Sequence, residues 1–123
     1  KFMQQNTSSI NVNSYEELVA LINQPWASKP SLHIPPHVVL SLGMGGIWGW
    51  MERLRQETPA WVPQMVVDCD VYPGYVLSAL RHGVKRVAFQ GPPEIFQRLQ
   101  TAAQSCGATL EHSVKSDYIY PHV

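Results

Sequence analysis

The sequence predicts a single α/β domain on a mainly parallel sheet, and two observations carry that reading. The first is the stretch from Met65 to Gly91, which holds an apolar run, a helix with both of its boundary signals and a second apolar run. The second is that strand-length apolar runs and helix-patterned segments alternate along the rest of the chain. Within the first stretch, Met65-Val66-Val67 is uninterrupted, as a strand buried on both faces should be, and it runs into two carboxylates, Asp68 and Asp70. Pro73 suits the first turn of the following helix, and Gly83 suits the left-handed residue beyond its end. Arg86 to Phe89 returns as a second strand and stops at Gly91-Pro92-Pro93.

Taken in order, residues 1–13 are polar with almost no charge and predict a flexible N-terminal arm. Ser14 and Glu17 have the spacing of a capping box, in which the hydroxyl accepts from the amide three residues on and the carboxylate reaches back. A helix therefore starts there, with Tyr15, Leu18, Leu21 and Ile22 as its apolar stripe and Pro25 as its end. Pro25 to Pro36 is proline-rich and reads as a loop, in which Leu32 to Ile34 can pair only as a brief edge strand. Val38 to Leu42 predicts a buried strand running into Gly43-Met44-Gly45-Gly46 and then a helix from Ile47 to about Gln56. On that helix Ile47, Trp50, Met51 and Leu54 share one face, and Trp48 falls off it. Past Gly91, a helix begins at the proline doublet, with Phe96, Leu99, Ala102, Ala103 and Cys106 inward and Gly107 closing it. Thr109 to His112 is a fourth strand, placed at a sheet edge because Glu111 lies inside it.

Helical crossovers make consecutive strands parallel. The expected domain, residues 14–113, is thus a four-stranded sheet with helices on both faces in a doubly wound, flavodoxin-like or Rossmann-like arrangement, followed by a tail at 114–123. The alternative is sequential strand order, as in part of a (β/α)₈ barrel, with helices on one face and a partner over the other.

The totals narrow the function classes. A chain of 123 residues is one domain on size. Lys plus Arg and Asp plus Glu number 9 each, so the zero net charge offers no electrostatic footprint for nucleic acid or an anionic membrane. The N-terminus lacks the apolar core of a signal peptide, and Cys69 and Cys106, in no metal-ligand spacing, read as two buried small residues; both point to the cytoplasm, although a start at Lys1 leaves room for an upstream segment. The histidines are scattered without zinc-ligand spacing, so no metal site is expected.

Parallel sheets bind ligands beyond the carboxyl ends of their strands. The residues placed there are Gly43, Met44, Gly45 and Gly46, where glycine lets backbone amides approach an anion, together with Gln90 and Gly91. The glycine run lacks both the third glycine of the dinucleotide pattern, since Trp48 stands there, and the Gly-Lys-Ser/Thr of a P-loop. Asp68, Asp70 and His112 are the catalytic candidates on the same rim, with no cofactor expected and Mg²⁺ at Asp68/Asp70 as the alternative. Asp68-Cys69-Asp70 superficially resembles the Asp-x-Asp start of the haloacid-dehalogenase phosphatases. The resemblance ends there, because Tyr72-Pro73 enters a helix at once and the later lysines are Lys85, before a strand, and Lys115, in the tail.

Two functions fit these residues. The first is a non-catalytic interaction or regulatory module, self-associating or an accessory subunit of a larger assembly, docking through Trp26, Trp48 and Trp61, which lie off the core stripes. The alternative is a protein or enzyme that binds a small anionic, phosphate- or nucleotide-like ligand, the glycine turn holding the anion and Asp68, Asp70 or His112 acting on it.

Overall fold

The structure, a computed structural model, describes residues 9–113. The first eight residues of the expected arm and the tail at 114–123 lie outside the described residues. In chain order the elements are β1 (Ser9–Asn11), α1 (Tyr15–Ile22), β2 (Ser31–Ile34), α2 (Pro36–Glu57), β3 (Met65–Asp68), α3 (Pro73–Arg81), β4 (Arg86–Phe89), α4 (Pro93–Ser105) and β5 (Thr109–His112), with a 3₁₀ turn at Pro59–Gln64. The five strands are all parallel and neighbour one another in sequence order, β1-β2-β3-β4-β5.

That order is the sequential alternative, and the doubly wound arrangement is not what forms. Right-handed crossovers between sequential strands deliver every helix to the same side of the sheet. The helices accordingly form one layer. Tyr15 of α1 meets Trp50 of α2 with ring centroids 5.7 Å apart, and α2 touches α3, which touches α4. The strands themselves explain why one layer suffices. Ile10, Leu32, Ile34, Val67, Val87 and Leu110 share the helix side by register, whereas Ser9, Asn11, Ser31, His33, Arg86 and Glu111 share the other. Such alternation in the outer strands is the pattern of a sheet with one apolar face. Only β3 is buried along its whole length, and that central strand is the one whose sequence suggested two covered faces.

Three expected elements are corrected. Val38 to Leu42 is not a strand but the first turns of α2. Pro36 takes the first helical position, and the amides of Val38 and Val39 donate to the Pro35 carbonyl at 3.0 and 3.1 Å. Both valines are buried in helical phase, so packing overrides their β preference. Leu32 to Ile34 supplies the missing strand, and it is interior, since Pro35 comes only after its last paired residue. Its outer neighbour is Ser9–Asn11, which belongs to the sheet and not to a loose arm and gives the fifth strand.

The remaining elements lie where expected. Ser14 Oγ accepts from the Glu17 amide at 3.1 Å, and Glu17 Oε1 accepts from the Asn13 amide at 2.9 Å. Gly83 and Gly107 both follow helices at positive φ, 84° and 69°. On α4, Phe96, Leu99 and Ala103 are buried; Cys106 is exposed because the helix stops at Ser105, one residue before it.

Candidate functional site

With the helices on one side, the polar side chains gather on the other face of the sheet and at its carboxyl rim, in two clusters. The rim cluster is centred on Asp68. This side chain is fully buried, and three donors converge on it. Oδ1 accepts from the Asp70 amide at 2.9 Å and from Ser113 Oγ at 2.7 Å, and His33 Nε2 lies 3.1 Å from Oδ2. His33 Nδ1 in turn meets the Asn11 side chain at 3.0 Å. One chain of hydrogen bonds therefore runs from β1 through β2 and β3 to the end of β5, and it satisfies the polar groups that burial would otherwise leave costly.

The turn after β3 is tied to the same rim. Asp70 adopts φ 52°, a conformation that few residues besides glycine, asparagine and aspartate accept. Its carbonyl accepts from the Gln90 amide at 2.8 Å, and its carboxylate accepts from Gln90 Nε2. Asp68, Asp70 and Gln90, all expected at the strand ends, are thus brought together, and Ser113 joins them.

The second cluster lies nearer the amino ends of the strands. Arg86 Nε donates to Glu111 Oε2 at 2.6 Å, and its Nη1 donates to Ser31 Oγ at 2.8 Å. Ser31 is on β2 and Arg86 on β4, so the arginine stem must cross β3. Continuing the β3–β4 register by one residue puts Val66 beside Arg86, and Val66 is 3% exposed although it faces the polar side. Arg86 links β2, β4 and β5 in a single reach. Beside it opens a cleft of about 410 Å³, with Ser9, His33 and Ala88 also in its wall and His112 at its edge.

Several sequence candidates fall elsewhere. Gly43, Met44, Gly45 and Gly46 are not a strand-to-helix turn; they lie inside α2, where Gly43 (φ 72°, ψ 168°) kinks the helix and the others continue it. The run therefore joins two helical halves of α2 and does not follow a strand. Gly91 is explained by packing, since a Cβ on it would stand 2.8 Å from the Phe89 ring. His112 stacks on Phe96 with centroids 4.0 Å apart and planes 7° from parallel. Trp61 is buried, and half-buried Trp26 donates from Nε1 to the Leu21 carbonyl at 2.6 Å, so both serve the fold; Trp48 is 44% exposed.

The residues the sequence reading missed are Asn11, Ser31, His33, Arg86 and Glu111. For all but Arg86 the signal was available as period-two alternation in Ser9-Ile10-Asn11, Ser31-Leu32-His33-Ile34 and Thr109-Leu110-Glu111.

Asp68 is enclosed by three donors, and both nitrogens of His33 are engaged by protein groups. That enclosure removes Asp68 as a Mg²⁺ ligand, and among the described residues no group of three His, Cys, Asp or Glu side chains is arranged to hold a metal. Burial, and then the neighbouring Asp68 charge, push the Cys69 thiol well above its ordinary range, which keeps it from being a nucleophile. Among the described residues no helix is long and apolar enough to cross a membrane. No protein-family model, curated protein or solved structure matches the chain.

Proposed function

We propose that this protein is a non-catalytic binding module whose working surface is the polar, helix-free face of its parallel sheet, where a small polar molecule occupies the cleft beside Arg86 and Glu111. The observation that supports this reading is the division of the sheet. All helices pack on one face, while the other carries charged groups already oriented by protein partners around a cleft of about 410 Å³. Groups fixed in advance lose little freedom on binding, which is what a recognition surface needs. The test is a panel of thermal melts with small charged and neutral metabolites. A ligand at about 100 times its Kd adds roughly 2.7 kcal/mol to stability. A saturable shift that is lost in Arg86→Met supports the reading, and a flat panel removes it.

A second reading, self-association or docking as an accessory subunit, is favoured by Trp48. Its side chain is 44% exposed on the outer side of α2, where the His82 ring lies 6.2 Å away. Light scattering decides it: a mass above that of one chain that falls to one chain in Trp48→Gln supports docking through α2, and a monomer at every concentration excludes self-association.

A further inference from the structure

We infer that the cleft on the polar face is built for a small zwitterion carrying a carboxylate and an ammonium on neighbouring atoms, the free α-amino acids being the simplest class; the inference rests on the binding role proposed above. Three observations lead there. The first is charge. Arg86 and Glu111 form an ion pair in the cleft wall, so the two fixed charges cancel. An inorganic or organic anion drawn to Arg86 meets the Glu111 carboxylate beside it, and a lone cation drawn to Glu111 meets the guanidinium. A molecule with both charges finds a partner for each.

The second is unused bonding capacity. A guanidinium has five N–H donors, and Arg86 donates through Nε to Glu111 and through Nη1 to Ser31. Nη2 has no protein acceptor among the described residues. Glu111 accepts through Oε2, and Oε1 has no protein donor among the described residues. The side chains are 29% and 36% exposed, so these groups are reachable. A donor group and an acceptor oxygen without protein partners among the described residues therefore belong to one ion pair, which suits a small molecule carrying both a carboxylate and an ammonium. Arginine suits this role because its planar fork takes a carboxylate with directed, charge-assisted bonds.

The third is that the pair is fixed before any ligand arrives. Ser31 holds the guanidinium from β2, and the strand register holds Arg86 and Glu111 diagonally across β4 and β5. Val66 and Ala88, also in the cleft wall, are its apolar part, which fits a short aliphatic side chain better than a second charged group.

The experiment is calorimetric titration of the full chain with L-valine and L-alanine. The comparison compounds are propionate (no ammonium), propylamine (no carboxylate), inorganic phosphate (anion alone) and glucose (uncharged polyol). The expected result is saturable heat for the two amino acids, and affinity about tenfold or more weaker for propionate and propylamine, each of which lacks one charge-assisted contact. In Glu111→Gln, with its fold checked by circular dichroism, the preference for L-valine over propionate should disappear. If phosphate, glucose or propionate binds as tightly as L-valine, the zwitterion inference is overturned and the binding role stands. If nothing binds at millimolar concentration, both are overturned. The wild-type panel decides between these outcomes even if Glu111→Gln does not fold.

Discussion

The two faces of the sheet are made by the same five strands and held together in different ways. On the helix side, residues such as Leu32, Val67, Val87 and Phe89 are buried against α1 to α4, and cohesion there comes from apolar area, which is large and indifferent to direction. On the other side, cohesion comes from a few directed contacts, those of Asp68 at the carboxyl rim and Arg86 toward the amino end. The difference teaches where each kind of residue can change. An apolar face tolerates exchange of shape for similar shape, whereas a polar face loses a whole bond when one atom is replaced. The helix side can supply most of the folding free energy, while the polar side leaves Arg86 and Glu111 partly exposed.

The comparison breaks most visibly at Phe89. This ring is 1% exposed, lies 6.3 Å from the Phe96 ring and fills the space that Gly91 leaves by having no Cβ. Phe89→Ala is expected to destabilise the domain by about 3–5 kcal/mol in urea unfolding, through lost transfer energy and the cavity left behind. A loss below about 1 kcal/mol would mean that the helix layer is not the main source of stability. Next comes Asp68→Ala, which strips the acceptor from Ser113, His33 and the Asp70 amide at once and leaves a fully buried polar site unfilled. The expected loss is about 3 kcal/mol. Asp68→Asn, which keeps one acceptor oxygen, should lose less. If the two substitutions were equal, the hydrogen bonds at the rim would carry none of the effect.

How far these faces were legible in the sequence follows from what each depends on. The Met65 to Phe89 unit was readable because its signals are local: an apolar run, Pro73 at a helix start and Gly83 past its end. The rim cluster was partly readable for the same reason, since Asp68, Asp70 and Gln90 stand at the ends of recognisable strands. Val38 to Leu42 was misread because β-branched residues and a following glycine fit a strand as well as a helix, and the choice was made by burial of Val38 and Val39 in the helix layer, which is tertiary. The same error carried the glycine run with it. Arg86 and Glu111 were unreadable as a pair, because they are 25 residues apart and meet only through the register of β4 with β5. Strand order was equally tertiary, although the polar alternation in β1, β2 and β5 was a signal for one bare face.

Smaller effects sharpen the contrast further. Arg86→Met keeps an unbranched stem over Val66 and removes the bonds to Glu111 and Ser31. Because the pair is about one-third exposed and screened by water, the expected loss is about 1 kcal/mol or less, read as a shift in the urea midpoint. Arg86→Ala should lose more, and the excess measures the packing of the stem apart from the charge.

The smallest effect is expected on the outer surface of the helix layer, which belongs to neither face. Trp48→Gln removes a large ring that is 44% exposed, and the stability change should stay within about 0.5 kcal/mol. Ile47, Trp50, Met51 and Leu54 of α2 point into the core, while Trp48, next to Ile47, is turned about 100° around the helix and away from it. A destabilisation well above 1 kcal/mol would place Trp48 among the packed residues and so remove the ground for docking through α2. With stability unchanged, any fall in assembled mass on the same substitution reports on contacts between molecules alone.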